Sequence, residues 1–247
     1  MESYHNAVSD KLVVVVFENL TIYQVFKKDN LLKWKTVIHG QVIPKQLKDA
    51  IFTSSTLISC NQDFTLAPLQ LENYSNFYSL NFQDSSPIKC FDTEEFTIVS
   101  KESSSIKKVA EHLVGVQENI DINLVFAYAT DKAKTDAIYF YKQADRITIL
   151  AWKDGKFALA NRYPADNLDE VFYYILLVVE QLELQPAEIY FEAICTKGQH
   201  ESYHALFKNY LAPLHLSSDV LTYTSSVSEE EEEEAICLAH FFAQCVL

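Results

Sequence analysis

Hydrophobic and polar positions along the chain write one pattern twice. Residues 12–38 read LVVVVFENLTIYQVFKKDNLLKWKTVI, and residues 137–163 read AIYFYKQADRITILAWKDGKFALANRY. In each copy, runs of β-branched and aromatic residues are broken by turn residues, which predicts three strands joined by tight turns. The second copy starts 125 residues after the first, setting Ile22 against Ile147, Val25 against Leu150 and Lys28-Asp29 against Lys153-Asp154. The closing hairpins are expected to turn at Lys28-Asp29-Asn30 and Lys153-Asp154-Gly155. Asn, Asp and Gly tolerate the positive φ that a primed two-residue turn requires. A repeat of this length implies two similar lobes from one duplicated unit.

Beyond the second copy the period changes from two to 3.6. Leu168, Val171, Phe172, Ile175, Val179 and Leu182 form a stripe that predicts a helix over residues 168–182. Asp166 or Asn167 can cap it, with Glu170 three residues after Asn167, and Gln185-Pro186 marks its end. Tyr173, Leu176, Leu177 and Val178 leave little polar face, so cover on two sides is expected. A strand over 188–194, a helix over 200–211 and a strand over 220–224 complete a β-β-β-α-β-α-β order with a parallel, right-handed crossover. After the first copy the pattern predicts helices over 44–51, 68–82 and 104–116 and strands over 56–60, 64–66 and 95–99. The lobe boundary is expected within 117–136. Ser225–Ser228 reads as a linker, and Glu229–Glu234 as the solvated start of a helix, with a disordered tail or partner contact as the alternative; the apolar AICLAHFFAQCVL is expected to pack on the body.

Composition narrows the functional classes. The 247 residues include 49% apolar and 13% aromatic residues, enough for a sizeable core, and only four glycines. A net charge of −14 and the lack of a basic stripe argue against nucleic acid and anionic membrane as partners. The five cysteines (Cys60, Cys90, Cys195, Cys237, Cys245) are scattered, odd in number and contain no CxxC pair, as in a reduced cytosolic protein. Residues 1–10 are polar, and no apolar run reaches the roughly 18 residues of a spanning helix. A soluble cytoplasmic protein is therefore expected.

Two meanders that each lead into further αβ units form a doubled ribonuclease-H-like architecture, that of the actin-like ATPases. Phe64-Thr65-Leu66-Ala67-Pro68-Leu69-Gln70-Leu71 and the run Lys156-Phe157-Ala158-Leu159-Ala160-Asn161-Arg162-Tyr163 match a known pattern. So do Asn167, Glu170, Tyr174, Ile175-Leu176 and Glu180-Gln181-Leu182. Together they resemble a functionally uncharacterised bacterial domain-of-unknown-function family assigned to that fold, over roughly residues 10–225. The resemblance implies an α/β fold of two lobes with mixed sheets. A first lobe is expected over residues 1–120 and a second over 121–226, with a Glu-rich C-terminal helix or tail over 227–247 outside the resemblance. It implies no site.

Enzymes of that fold bind ATP between their lobes, and the first hairpin of each lobe carries an Asp-x-Gly type phosphate loop. The corresponding turns here read Phe17-Glu18-Asn19-Leu20 and Lys142-Gln143-Ala144-Asp145, both without glycine. Glu18 reaching a metal or Lys142 a phosphate is outweighed by ordinary turn polarity. No GxxxxGKS, GxxxxGKT or GxGxxG occurs. Gly155 is a hairpin turn, Gly198 precedes a helix, and Gly40 and Gly115 are isolated. His200-Glu201-Ser202-Tyr203-His204 matches HExxH, which on a helix places two imidazoles on one face for zinc with a glutamate base. Phe207 and Tyr210 occupy the positions where the extended motif has Gly and a third His, and Tyr203, Leu206 and Tyr210 are expected to face a sheet. His240 lies in the apolar tail, no GxSxG elbow occurs, and no cysteine stands in a nucleophile context. The expectation is a non-catalytic binding or scaffold component with a protein partner and no catalytic residue, cofactor or metal. The interlobe cleft and strand edges are the places expected to hold that partner. A divergent nucleotide-binding protein or ATPase is the alternative, and a zinc hydrolase through the HExxH string is the second.

Overall fold

Residues 10–47, 50–60, 62–132, 135–217 and 230–247 are described by a computed structural model, in which the chain divides into two units. The first takes the chain up to Leu124 with Val246 and Leu247, and the second spans Val125–Cys245. The first unit contains β1 (Lys11–Val16), β2 (Leu20–Phe26), β3 (Leu32–His39), β4 (Ser54–Ser59), β5 (Phe64–Pro68), α1 (Tyr74–Phe82), β6 (Ile88–Asp92), β7 (Phe96–Lys101), α2 (Ser104–Ala110) and β8 (Val116–Ile120). Helix α3 (Asp121–Asp131) crosses the boundary. The second unit contains β9 (Ala137–Gln143), β10 (Arg146–Lys153), β11 (Lys156–Pro164), α4 (Leu168–Gln181), β12 (Tyr190–Ala193), α5 (Lys197–Phe207), β13 (Leu214–Leu216) and most of α6 (Glu230–Val246).

Each unit carries the same five-stranded mixed sheet. The orders are β3-β2-β1-β4-β8 and β11-β10-β9-β12-β13, with the first three strands of each unit antiparallel and the last two added in parallel. The central strands β1 and β9 are buried on both faces, which is why they read as nearly unbroken apolar runs. In the second unit one face packs Ile138, Phe140, Ile147, Ile149 and Ala151 against Val171, Ile175, Val178 and Val179 of α4 and Tyr203 and Phe207 of α5. The opposite face meets α3 and α6: Tyr139 packs edge-on to Tyr128, Trp152 stacks on Phe126, and Tyr141 packs edge-on to Phe242.

The two copies align at an offset of 126 over their first two strands, not 125. Lys11 and Ala137 open β1 and β9, and Leu20 and Arg146 open β2 and β10. The bulges fall after Val25 and Ala151, again 126 apart. Parity is the physical point. Side chains alternate between faces, so an odd offset would pair a residue under the helices with one on the opposite face. At 126, Leu12, Val14, Tyr23 and Val25 correspond to Ile138, Phe140, Ile149 and Ala151, and all eight lie in helix-covered cores. The offset returns to 125 at the ends of β3 and β11 because the loops differ in length. The second copy turns on two residues, Asp154 at φ 53° and Gly155 at φ 72°. The first is not a two-residue turn: residues 27–31 form the loop, with Lys27 N donating to Leu31 O at 2.9 Å and only Asn30 at positive φ, 63°.

The units diverge elsewhere. Where the second has α4, the first has a single 3₁₀ turn, Lys45–Leu47, instead of the expected helix over 44–51. Between β4 and α2 the first unit inserts an antiparallel sheet, β5-β7-β6, packed with α1 around Ala67, Tyr78 and Val99. The helix expected over 68–82 begins only at Tyr74, capped by the Asn73 side chain, and the one over 104–116 stops at Ala110. β6, β8 and α3 had no clear sequence signal. The strand expected over 220–224 and the linker Ser225–Ser228 lie outside the described residues. α4 is covered by the sheet and by α5, but Tyr173 is 59% exposed, so cover on two sides stops there. Among the described residues no helix is long and apolar enough to cross a membrane.

Candidate functional site

The second unit holds a cavity of about 830 Å³ where four chain segments converge. The β9–β10 hairpin supplies Lys142, Ala144 and Asp145; the start of α4 supplies Asp166, Asn167, Leu168 and Val171. The start of α5 supplies Thr196, Gly198, Gln199, Ser202 and Tyr203, and α6 supplies Glu233 and Glu234. Each segment arrives there for a local reason. Ala144 takes φ 51°, letting the hairpin close without glycine. The Asn167 side chain accepts from Glu170 N at 3.0 Å and caps α4, while Glu170 Oε2 accepts from Asp166 N at 2.7 Å. Thr196 and Gln199 form a reciprocal capping box that starts α5 at Lys197 instead of near residue 200, so Gly198 lies inside its first turn.

The hairpin turn singled out in the sequence therefore does line a cavity, but its chemistry does not suit a triphosphate. The Lys142 ammonium donates to the Ala144 carbonyl of its own turn. The capping bonds engage amides at the starts of α4 and α5 that an anion would otherwise use. Asp145, Asp166, Glu233 and Glu234 line the same space. Like charges about 4 Å apart repel by about 4 kcal/mol at an effective dielectric near 20, so each carboxylate facing a phosphate works against it. In the first unit the turn is closed by Phe17 N donating to Leu20 O at 2.9 Å, and it leaves Glu18 exposed.

The HExxH string lies on α5. His200 Nε2 lies 3.1 Å from Leu214 O, Glu201 and His204 are exposed, and the two imidazole centroids are 6.1 Å apart. Among the described residues no three His, Cys, Asp or Glu side chains come together as a metal-holding group. Tyr203 and Leu206 do face the core, but Tyr210 is 63% exposed, because α5 ends at Phe207. The thiols near the cavity are poor nucleophiles. Burial, then Glu234 and Glu233, push Cys237 up to about 12; burial, then Cys237 and Glu234, push Cys195 well above the usual thiol range.

A second polar cluster lies beneath the cavity-bearing sheet. Glu192 of β12 is 1% exposed, yet its carboxylate is fully engaged. Tyr128 Oη donates to Oε1 at 2.5 Å, Tyr190 Oη donates to Oε2 at 2.6 Å, and Lys132 Nζ is 3.2 Å from both oxygens. The Lys132 ammonium also lies 4.4 Å from the Tyr128 ring centroid, and Tyr128 pairs with Ser217 Oγ at 2.9 Å. Burial and Glu192 hold Tyr190 protonated, which suits it to donate. This network fastens α3 to the second sheet and leaves no carboxylate oxygen for a substrate.

The doubled sheets place the molecule in the actin-like ATPase fold. A Bacteroides thetaiotaomicron protein with that fold and unknown function is similar at a TM-score of 0.74, with 12% identity over 98% of each chain. Weaker similarity extends to the ethanolamine utilization protein EutJ from Carboxydothermus hydrogenoformans (TM-score 0.47, 8% identity, 96% of this chain and 91% of that one). It extends also to the PilM–PilN type IV pilus biogenesis complex (TM-score 0.49, 9% identity, 97% and 98%). No curated protein matches the sequence. The chain belongs to the family described as protein of unknown function (DUF3822), whose pattern matches residues 9–214.

Proposed function

We propose that this chain is a non-catalytic member of the actin-like fold that acts by binding a protein partner in the cytoplasm. The observation that carries this reading is the charge of the second-unit cavity: among the described residues it is lined by four carboxylates and one ammonium, the ammonium tied to its own hairpin. The free thiols at Cys90, Cys195 and Cys237 support a reducing compartment. Strands β3 and β11 lie at the edges of their sheets, the positions where an incoming strand could add.

Thermal unfolding with Mg·ATP tests the reading. A nucleotide at about a hundred times its Kd adds about 2.7 kcal/mol of stability. For a chain of this size that is a midpoint shift of about 5–10 °C. The expected result is a shift below about 1 °C and no phosphate release. A shift of several degrees with phosphate release would overturn the reading. The positive arm is a saturable complex between the purified chain and a purified cellular protein, formed without nucleotide.

A further inference from the structure

We propose that β3, the outermost strand of the first unit's five-stranded sheet among the described residues, is the docking edge for an extended acidic segment of a protein partner, which adds beside it as a further strand. The inference rests on the reading of a chain that binds a protein, and it names the edge and the chemistry of what that edge takes. Sign is the first observation. The chain carries a net charge of −14, yet the β2–β3 hairpin is basic. Lys27, Lys28, Lys33 and Lys35 stand against Asp29 and against Asp10, whose carboxylate accepts from Lys33 Nζ at 2.7 Å, an excess of two formal positive charges. Lys27 and Lys28 are exposed in the loop that leads into β3. Within a Debye length of about 8 Å this local sign outweighs the distant negative charge of the chain.

Exposed apolar surface at the same end of the sheet is the second observation. Leu31 is 60% exposed and Ile51 72%, and Leu32 is exposed as well. The pairings of Lys11 with Phe26 and Ser54, and of Phe26 with Leu32, bring the starts of β3 and β4 to that end. Along β3, Trp34 and Ile38 pack partly buried on the helix-covered core, so Lys35 and Val37 fall on the opposite face. A strand that alternates apolar and acidic residues therefore meets apolar side chains on one face and the Lys35 ammonium on the other, with Lys27 and Lys28 at its end. A second copy fits worse, because paired β3 edges set lysine-rich strands against each other. An anionic membrane offers no strand and meets the negative charge of the whole chain.

Calorimetric titration of the full chain tests this with a blocked peptide that alternates Glu and Val, beside the same peptide with Lys in place of Glu. Saturable one-to-one binding of the acidic peptide is expected, weakened by added salt, and none of the basic one. Lys27→Gln with Lys28→Gln is expected to weaken binding about three- to fivefold, whereas Lys107→Gln with Lys108→Gln, exposed on α2 of the same unit, leaves it unchanged. Amide hydrogen exchange across Leu32–His39 slows when the peptide is bound, which marks strand addition. Failure of the acidic peptide to saturate overturns the inference. So do equal binding of the basic peptide, an equal loss in the α2 pair, and a bound peptide that leaves exchange in β3 unslowed. Cosedimentation with phosphatidylserine vesicles while the peptide stays inert assigns the surface to a membrane and overturns it too. Melting curves of both lysine pairs guard against misfolding. A cellular protein that binds without slowing exchange in β3 defeats this inference alone, whereas phosphate release from ATP defeats the reading it rests on.

Discussion

At the scale of single residues, the strongest local energetics lie at Glu192. A carboxylate 1% exposed is tolerated because two phenols and an ammonium satisfy it. Removing the charge leaves these donors aimed at a weaker acceptor, and hydrogen bonds to charged groups are worth about 1.5–3 kcal/mol each. Glu192→Gln is therefore expected to lower stability by about 2–4 kcal/mol, read as a shifted denaturant midpoint with unchanged slope. Lys132→Met should cost about 1 kcal/mol, because the lysine is 30% exposed and both phenols remain. A larger loss from the lysine than from the glutamate would contradict this picture. The sequence showed none of it: Tyr128, Lys132, Tyr190 and Glu192 have no motif spacing, and only the pairing of β9 with β12 and the packing of α3 bring them together.

At the scale of elements, turn chemistry and helix burial set the outcome. Gly155 sits at φ 72°, and a Cβ there meets nothing within 4 Å. Gly155→Ala thus isolates backbone strain from packing, and a loss of about 1 kcal/mol is expected in chemical denaturation. A neutral result would mean that the turn relaxes to another conformation. α6 gives a contrasting test. Phe241 and Phe242 are fully buried, and Phe241 packs edge-on to Tyr128 at 4.9 Å. Phe241→Ala is expected to cost about 3–5 kcal/mol by leaving a cavity, whereas an unpacked tail would lose almost nothing. The apolar stretch after the glutamates favours packing, but the sequence left the docking itself undecided. The capping box Thr196-Lys197-Gly198-Gln199 was legible, and it would have placed the start of α5 correctly. β8 was not, because Gln117, Glu118 and Asn119 of this edge strand resemble a loop in isolation.

At the scale of the whole molecule, buried phenols and thiols in both units make stability depend on alkaline pH. Burial pushes Tyr23 up to about 12 from 10.0, and burial, with Glu234 and Glu233, pushes Cys237 up to about 12 from 9.0. These folded values lie above the unfolded ones, so between them the unfolded chain binds fewer protons and stability falls as pH rises. The contribution is complete below pH 9 for Cys237 and below pH 10 for Tyr23, and it is lost as pH rises through about 12. The melting midpoint is expected to hold up to about pH 9 and then to decline, with Cys237→Ala flattening the early part of the decline. A midpoint independent of pH up to 12 would show that these groups ionise without cost.

The sequence by itself determined the strand meanders, the α4 helix with a cap at Asp166 or Asn167, the Asp154-Gly155 turn and the doubled plan. Periodicity, capping and turn preference are properties of neighbours along the chain, so they survive in one dimension. Only the tertiary structure decided the even offset between the copies, because parity becomes visible when a strand has one face under helices and another beneath α3 and α6. It alone decided the cavity as well. Asp145, Asp166, Thr196, Tyr203, Glu233 and Glu234 belong to separate segments, and their convergence follows from strand order and helix packing, which no local pattern encodes.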